Sequence, residues 1–303
     1  MRRLHYHRIN VFTDHAFGGN PLAVFTNGRG VSTETMQAIA KEFNLAEMTF
    51  VVPPDDPRHD WRVRIFTPIK ELPMAGHPTV GTAFVLAREH LIEPAGGETT
   101  VTLEEGIGPI PVRIEFRDGS PFYAEMSQPL PTFGPRLGDC RADVAEALSL
   151  TIEDLAPDLP VEAVSCGVPI LLVPLNSLDA ARRARPRADV IERLLRGVAP
   201  TEVFVFTREV EHESSTVHSR FFAPFFGIPE DPATGAASGP LGAYLVHYGL
   251  VPRETVSEIV SEQGIEMGRP SVITVRIESH GNEITAVKVG GRCHFAGEGF
   301  MEV

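Results

Sequence analysis

Arg64-Ile65-Phe66-Thr67-Pro68, with Pro73 five residues on, returns 156 residues later as Arg220-Phe221-Phe222-Ala223-Pro224, with Pro229 five residues on. Three further pairs keep the same order. Pro21-Leu22-Ala23-Val24 is matched by Pro169-Ile170-Leu171-Leu172, and Glu47 with Phe50 and Val51 by Glu202 with Phe204 and Val205. Glu105-Gly106-Ile107 is matched by Gln263-Gly264-Ile265. The offset drifts from 148 to 158, as small insertions require. Four matches in one order argue for a duplicated domain. The predicted layout is an N-terminal lobe of residues 1–125 plus 293–303 and a C-terminal lobe of residues 126–292, with an active site in the cleft between them.

Each half reads as mixed structure. Arg8 to Phe12 and Leu22 to Phe25 have strand character around a Gly18-Gly19-Asn20-Pro21 turn. Ser32 suits a helix N-cap, with Val31 and Met36 placed as a hydrophobic staple. Met36, Ile39, Ala40 and Phe43 then fall on one helical face, and Asn44 can close the helix in the left-handed region. Glu47 follows, opening a strand through Val52. A second helix is expected after Gly76-His77, with Pro78 at its first position. Its counterpart is expected near Thr234-Gly235, where Pro240 demands a later start or a kink. The order predicts an α+β fold, each half a sheet wrapped around a central helix.

The bulk properties narrow the function classes. The chain has 303 residues and a net charge of −13, from 27 Lys and Arg against 40 Asp and Glu. Nucleic acid and anionic membranes call for a basic surface, so neither is expected as a partner. Three widely spaced cysteines, Cys140, Cys166 and Cys293, give no disulfide framework or zinc knuckle. The stretch from Met1 to Arg8 lacks an apolar core, and the run from Val168 to Leu175 is too short to span a bilayer. A cytoplasmic location is the expectation. His5 and His7 could share a strand face as metal ligands, but a pair of this kind is more often a solvated edge, so no metal is expected.

Three segments carry candidate chemistry: Asn44 to Glu47, Met74 to Thr79, and Glu230 to Ala236. The last two precede the central helices, whose first N–H groups and dipoles can hold a carboxylate or a developing enolate oxygen. Leu45, Ala46, Met48 and Phe50 flank Glu47, and apolar surroundings raise a carboxyl's pKa towards neutral, which suits proton transfer. The residues alone leave bland readings open. Glu47 also fits a strand cap or an arginine partner, His77 a helix cap, and Asp231 an ordinary turn before Pro232.

Phe17-Gly18-Gly19-Asn20-Pro21, Phe43-Asn44-Leu45-Ala46-Glu47, Ile65 to Pro68 with Gly76-His77-Pro78-Thr79, Asp231-Pro232-Ala233-Thr234-Gly235 and Gly268-Arg269-Pro270-Ser271 together resemble the phenazine-biosynthesis PhzF-like family. The resemblance spans residues 8 to 303 and implies a duplicated fold of the diaminopimelate-epimerase type. It implies an isomerase that moves a proton within a small anionic metabolite and uses no cofactor; a homodimer is expected because that is the commonest assembly. On the matching positions, Glu47 is the acid/base, and His77 and Asp231 orient the substrate and assist. Asn20, Gly76, Gly235 and Ala236 contact the substrate. The family reads Ser where this chain has Ala236, which weakens the case for the phenazine substrate more than the case for the chemistry. A cysteine-dependent epimerase or racemase of the same fold would need a thiol at each helix start, where His77 and Ala236 stand. A non-catalytic binder of small acids is the alternative from another class.

Overall fold

The computed structural model describes residues 2–197, 202–226 and 228–303. The first half runs β1 (Arg3–Val11), β2 (Asn20–Phe25), α1 (Thr33–Phe43), β3 (Glu47–Val52), β4 (Trp61–Phe66), β5 (Glu71–Leu72), α2 (Gly76–Arg88), β6 (Glu98–Glu105), β7 (Gly108–Arg117) and β8 (Ser120–Gln128). The second runs β9 (Thr132–Arg136), α3 (Arg141–Ala147), β10 (Glu162–Ser165), β11 (Pro169–Pro174), α4 (Leu178–Arg183), α5 (Ala188–Leu195), β12 (Val203–Thr207), β13 (Val217–Ala223), β14 (Ile228–Asp231), α6 (Gly235–His247), β15 (Val256–Gln263), β16 (Ser271–His280), β17 (Glu283–Gly291) and β18 (Cys293–Glu302). Contacts divide the chain into two compact units, residues 1–127 with 289–303, and residues 128–288.

The two units share one topology. In the first, β1 lies antiparallel between β18 and β2, and β2 runs parallel to β3. Next, β3 is antiparallel to β4, and β4 pairs with β5 and, in parallel, with β6, which turns back into β7. In the second, β10 lies antiparallel between β9 and β11, and β11 runs parallel to β12. Then β12 is antiparallel to β13, and β13 pairs with β14 and, in parallel, with β15, which turns back into β16. The duplicated α+β architecture is what the sequence repeat predicts.

A helix buried on nearly every side forms the centre of each unit. All of α2 except Arg88 is buried, and it packs on β1, β2, β3, β4 and β7. An apolar circumference of this kind identifies a core helix rather than a surface one. A Cβ added to Gly81 would stand 2.6 Å from a Leu22 methyl and 2.7 Å from a Val11 methyl, so glycine permits the close approach to β1 and β2. α6 is buried to the same degree and packs on β10, β11, β15 and β16. A further apolar cluster forms around Phe25, Met36, Phe50 and Phe66 in the first unit, and another around Val173, Ile191, Val205 and Phe222 in the second.

Local expectations fare unevenly. Ser32 caps α1 by accepting a hydrogen bond from the Thr35 N–H at 3.2 Å, and Asn44 closes it at φ 50°. α2 begins at Gly76, two residues before the expected start, so Pro78 is its third residue. Both positions lie in the first turn, where a missing N–H removes no intrahelical bond. α6 begins at Gly235 and continues through Pro240, with no later start.

One repeat match is coincidental. Pro73 stands two residues before the N-cap Ala75, and the residue two before the N-cap Thr234 is Pro232, not Pro229. A Cβ on Gly106 would lie 2.7 Å from Pro73 Cα, and one on Gly264 would lie 2.5 Å from the Pro232 carbonyl oxygen. Three extra residues between Pro224 and Pro232 shift the second copy.

The last residues of β6 and β15 fasten the helix starts. The Gln263 side chain accepts from the Thr234 N–H at 3.0 Å and donates to Thr234 Oγ1 at 3.1 Å and to the Asp231 carbonyl at 2.8 Å. Glu105 occupies the equivalent place, receiving the Ala75 N–H and contacting the Thr79 hydroxyl. That hydroxyl also meets the Ala75 carbonyl. With one hydroxyl proton for two oxygens, both contacts are hydrogen bonds only when Glu105 is protonated and donates to Thr79. Burial pushes the Glu105 carboxyl up to about 8, so it stays neutral as Gln263 does. Between its unfolded pKa near 4.5 and about 8, the folded state binds the extra proton, so stability falls as pH rises. The loss approaches about 1.4 kcal/mol per pH unit within that window. Glu105→Gln is expected to remove this contribution and to raise the melting temperature at pH 8 more than at pH 5. Equal shifts at both pH values in thermal unfolding would show that Glu105 is not neutral in the fold.

Candidate active site

Asn20 opens β2 and Glu47 opens the parallel strand β3, so chain geometry brings the two starts to one side of the sheet. Gly19 makes the approach to Asn20 possible. It sits at φ 65°, and a Cβ there would lie 2.4 Å from the Val11 carbonyl oxygen. Only glycine tolerates both conditions. His77 comes from the first turn of α2, and the hydroxyls of Thr49 on β3 and Thr82 on α2, 2.8 Å apart, tie this helix to β3.

The three side chains meet at one nitrogen. His77 Nδ1 lies 3.1 Å from Asn20 Nδ2 and 3.2 Å from Glu47 Oε2. His77 is buried and Glu47 keeps 15% of its side chain exposed, enough to reach a ligand. Burial lowers the His77 pKa to about 3, so the imidazole is neutral at physiological pH and its contact with Glu47 is not an ion pair. A neutral imidazole presents either a lone pair or a proton at Nδ1. With the lone pair there, Nδ1 accepts from the Asn20 amide or from a protonated Glu47. With the proton there, it donates to an ionised Glu47, and the Asn20 amide turns its oxygen inwards. Both charge states of Glu47 therefore find a partner in His77 without charging the ring. His77 is not the helix cap that the sequence left open. The N-cap is Ala75, whose side chain cannot bond the first N–H groups. Gly76 is the first residue of α2, so its N–H and that of His77 belong to the helix start, where no intrahelical acceptor exists.

The remaining expected residues belong to the second unit and gather at the start of α6. Asp231 ends β14, is buried, and accepts a hydrogen bond from the Thr234 hydroxyl at 2.5 Å. Gly235 and Ala236 are the first two residues of α6, and the Gly235 carbonyl accepts from Gln128 Nε2 at 3.0 Å. Sequence reasoning did not single out Thr234, Gln263 or Glu105 as supports of these helix starts. The signal was present, since the repeat already paired Glu105 with Gln263.

The cysteines lie elsewhere. Cys166 and Cys293 are held as thiols by burial, which pushes Cys166 up to about 12 and Cys293 higher still. Neither they nor Cys140 belong to the first turn of α2 or α6. Among the described residues no helix is long and apolar enough to cross a membrane.

Comparison with known proteins gives one answer. The family model described as phenazine biosynthesis-like protein, PhzC-PhzF, matches residues 9–299. An uncharacterised isomerase of Mesorhizobium japonicum is 36% identical over 303 residues, covering 96% of each chain. The trans-2,3-dihydro-3-hydroxyanthranilate isomerase of Pseudomonas aeruginosa is 36% identical over 283 residues, 93% of this chain and 94% of its own. The crystal structure of a PhzF-family phenazine biosynthesis protein from Bacillus anthracis superposes with a TM-score of 0.89 at 27% identity, covering all of both chains. With its duplicated units and this match over nearly its whole length, the chain belongs to the phenazine biosynthesis-like, PhzC-PhzF, family of isomerases.

Proposed function

We propose that this isomerase moves a proton between two carbons of a small carboxylate-bearing substrate, with Glu47 as the acid/base and without metal or organic cofactor. The observation that carries the reading is the 3.2 Å contact between Glu47 Oε2 and the neutral, buried His77. Ionised Glu47 takes a proton from a carbon next to the substrate's unsaturated or carbonyl group. The electron pair left behind delocalises onto oxygen, and the same carboxyl returns the proton to a second carbon. The neutral His77 ring, 3.2 Å from Oε2, holds the carboxyl in place without setting a charge beside it. The N–H groups of Gly76 and His77 and the dipole of α2 offer a place for the substrate's negative charge. On the strength of the family motif, we assign Asp231 and the N–H groups of Gly235 and Ala236 to substrate binding, with Asn20 holding His77.

The Pseudomonas aeruginosa relative is named for a dihydro-hydroxyanthranilate, which supports a cyclic carboxylate as the class. Ala236 lacks the hydroxyl of the family motif, so the proposal stops at the class.

Two outcomes follow. Glu47→Gln keeps the shape of the side chain and loses the base, so turnover and deuterium uptake from heavy water into substrate should fall by on the order of 10²–10⁴. Binding of a substrate analogue should survive. Near-normal deuterium exchange in that variant would remove Glu47 from the mechanism. Replacing Cys140, Cys166 and Cys293 together by Ala should leave turnover within about threefold of the parent, because acid/base work by Glu47 uses no thiol. Loss of all turnover in a variant whose circular dichroism is native would favour thiol-dependent epimerase chemistry instead.

A further inference from the structure

His5 and His7 stand two residues apart on β1 and therefore share a face of the sheet. On the antiparallel neighbour β18, Glu298 lies directly opposite His7 and Phe300 opposite His5. Glu89 follows the last turn of α2 and reaches the same place. The sequence reading of a solvated edge does not hold for His7, which is fully buried.

The chemistry of this cluster is incomplete as protein alone. Neither ring nitrogen of His7 has a hydrogen-bond partner. Carboxylate oxygens of Glu89 and Glu298 face its Nδ1 at 3.5 and 3.7 Å, and Glu298 also lies 3.5 Å from His5 Nε2. These separations are too long for good hydrogen bonds. They are close to those of donors around a single ion, since ligands about 2.0–2.2 Å from a tetrahedral centre stand roughly 3.3–3.6 Å apart. The donor atoms of His5, His7 and Glu298 all lie within 4.8 Å of one another, and no other group of three such donors does so among the described residues. The rings are also held in place. Phe300 stacks on His5 with centroids 4.7 Å apart, and the Phe295 ring lies 6.4 Å from that of His7.

We propose that His5, His7 and Glu298 bind one divalent transition metal of the zinc type. Two imidazoles with a carboxylate match the borderline metals, zinc, cobalt and nickel, better than the all-oxygen preference of calcium or magnesium. The role is structural. The ion clamps β18 to β1 beside the C-terminal end of α2, where Glu89 approaches His7, whereas Glu47 meets the helix at its first turn. Twelve residues separate His77 from Glu89, which puts roughly 18 Å of helix between the two places.

The test uses the full-length protein stripped of metal by a chelator and titrated with zinc alone by calorimetry, with cobalt as a spectroscopic substitute. The proposal predicts one zinc per chain, a rise in melting temperature on zinc addition, and the visible absorption of four- or five-coordinate cobalt. His5→Gln and Glu298→Gln, both at partly exposed side chains, should fold normally, weaken zinc binding by at least about tenfold and lose the melting shift. Glu47→Gln should bind zinc as the parent does. Absence of stoichiometric binding, or binding that both His5→Gln and Glu298→Gln retain, would overturn the proposal and leave adventitious surface metal only.

Discussion

Burial of His77 at the first turn of α2 is the constraint on which the first unit turns. An imidazole in that position loses its charge, and it needs polar neighbours that satisfy a neutral ring. At Nδ1 those neighbours are Asn20 and Glu47, and each opens one of two parallel strands. The start of α2 is therefore fixed against the starts of β2 and β3. Gly19 at φ 65°, Gly81 against Leu22 and Val11, and the Thr49–Thr82 hydrogen bond all serve that placement.

Duplication supplied the scaffold, and the two copies diverge at a few positions on it. In both units the last residue of a strand binds the N-cap N–H of the central helix, through Glu105 in one and Gln263 in the other. The second helical residue is His77 in the first copy and Ala236 in the second. One copy thus presents an imidazole where the other presents a methyl group, and in neither does the N-cap side chain bond the helix. A helix start held by a neutral side chain keeps its N–H dipoles uncancelled, which explains why a carboxyl held protonated can stand in for an amide there.

The sequence was most legible where one residue type has one physical use. Ser32 and Asn44 bound α1 because a hydroxyl cap and a left-handed closing residue have few other roles at those spacings. The repeated Arg-Phe-Pro strands disclosed the architecture before any coordinate. Legibility ended where two positions are energetically equal, as for Pro78, which suits the first and third places of a helix alike. It also ended at insertions, since Pro229 matches Pro73 by count while Pro232 matches it in space. Glu47, Asn20 and His77 could be named from motifs, but their convergence on Nδ1 depends on parallel pairing that no local pattern encodes. The full burial of His7 is of the same kind, set by a strand from the far end of the chain.

In the proposed reaction His77 stays uncharged while Glu47 changes protonation state beside it. The direct measurement is nitrogen-15 magnetic resonance of the His77 ring, assigned by comparison with His77→Gln, from pH 4.5 to 8.5. Ring shifts of a neutral imidazole across the whole range are the predicted result, because burial lowers its pKa to about 3. An imidazolium forming as pH falls through 6 to 7 would contradict the account, since Glu47 would then face a cation.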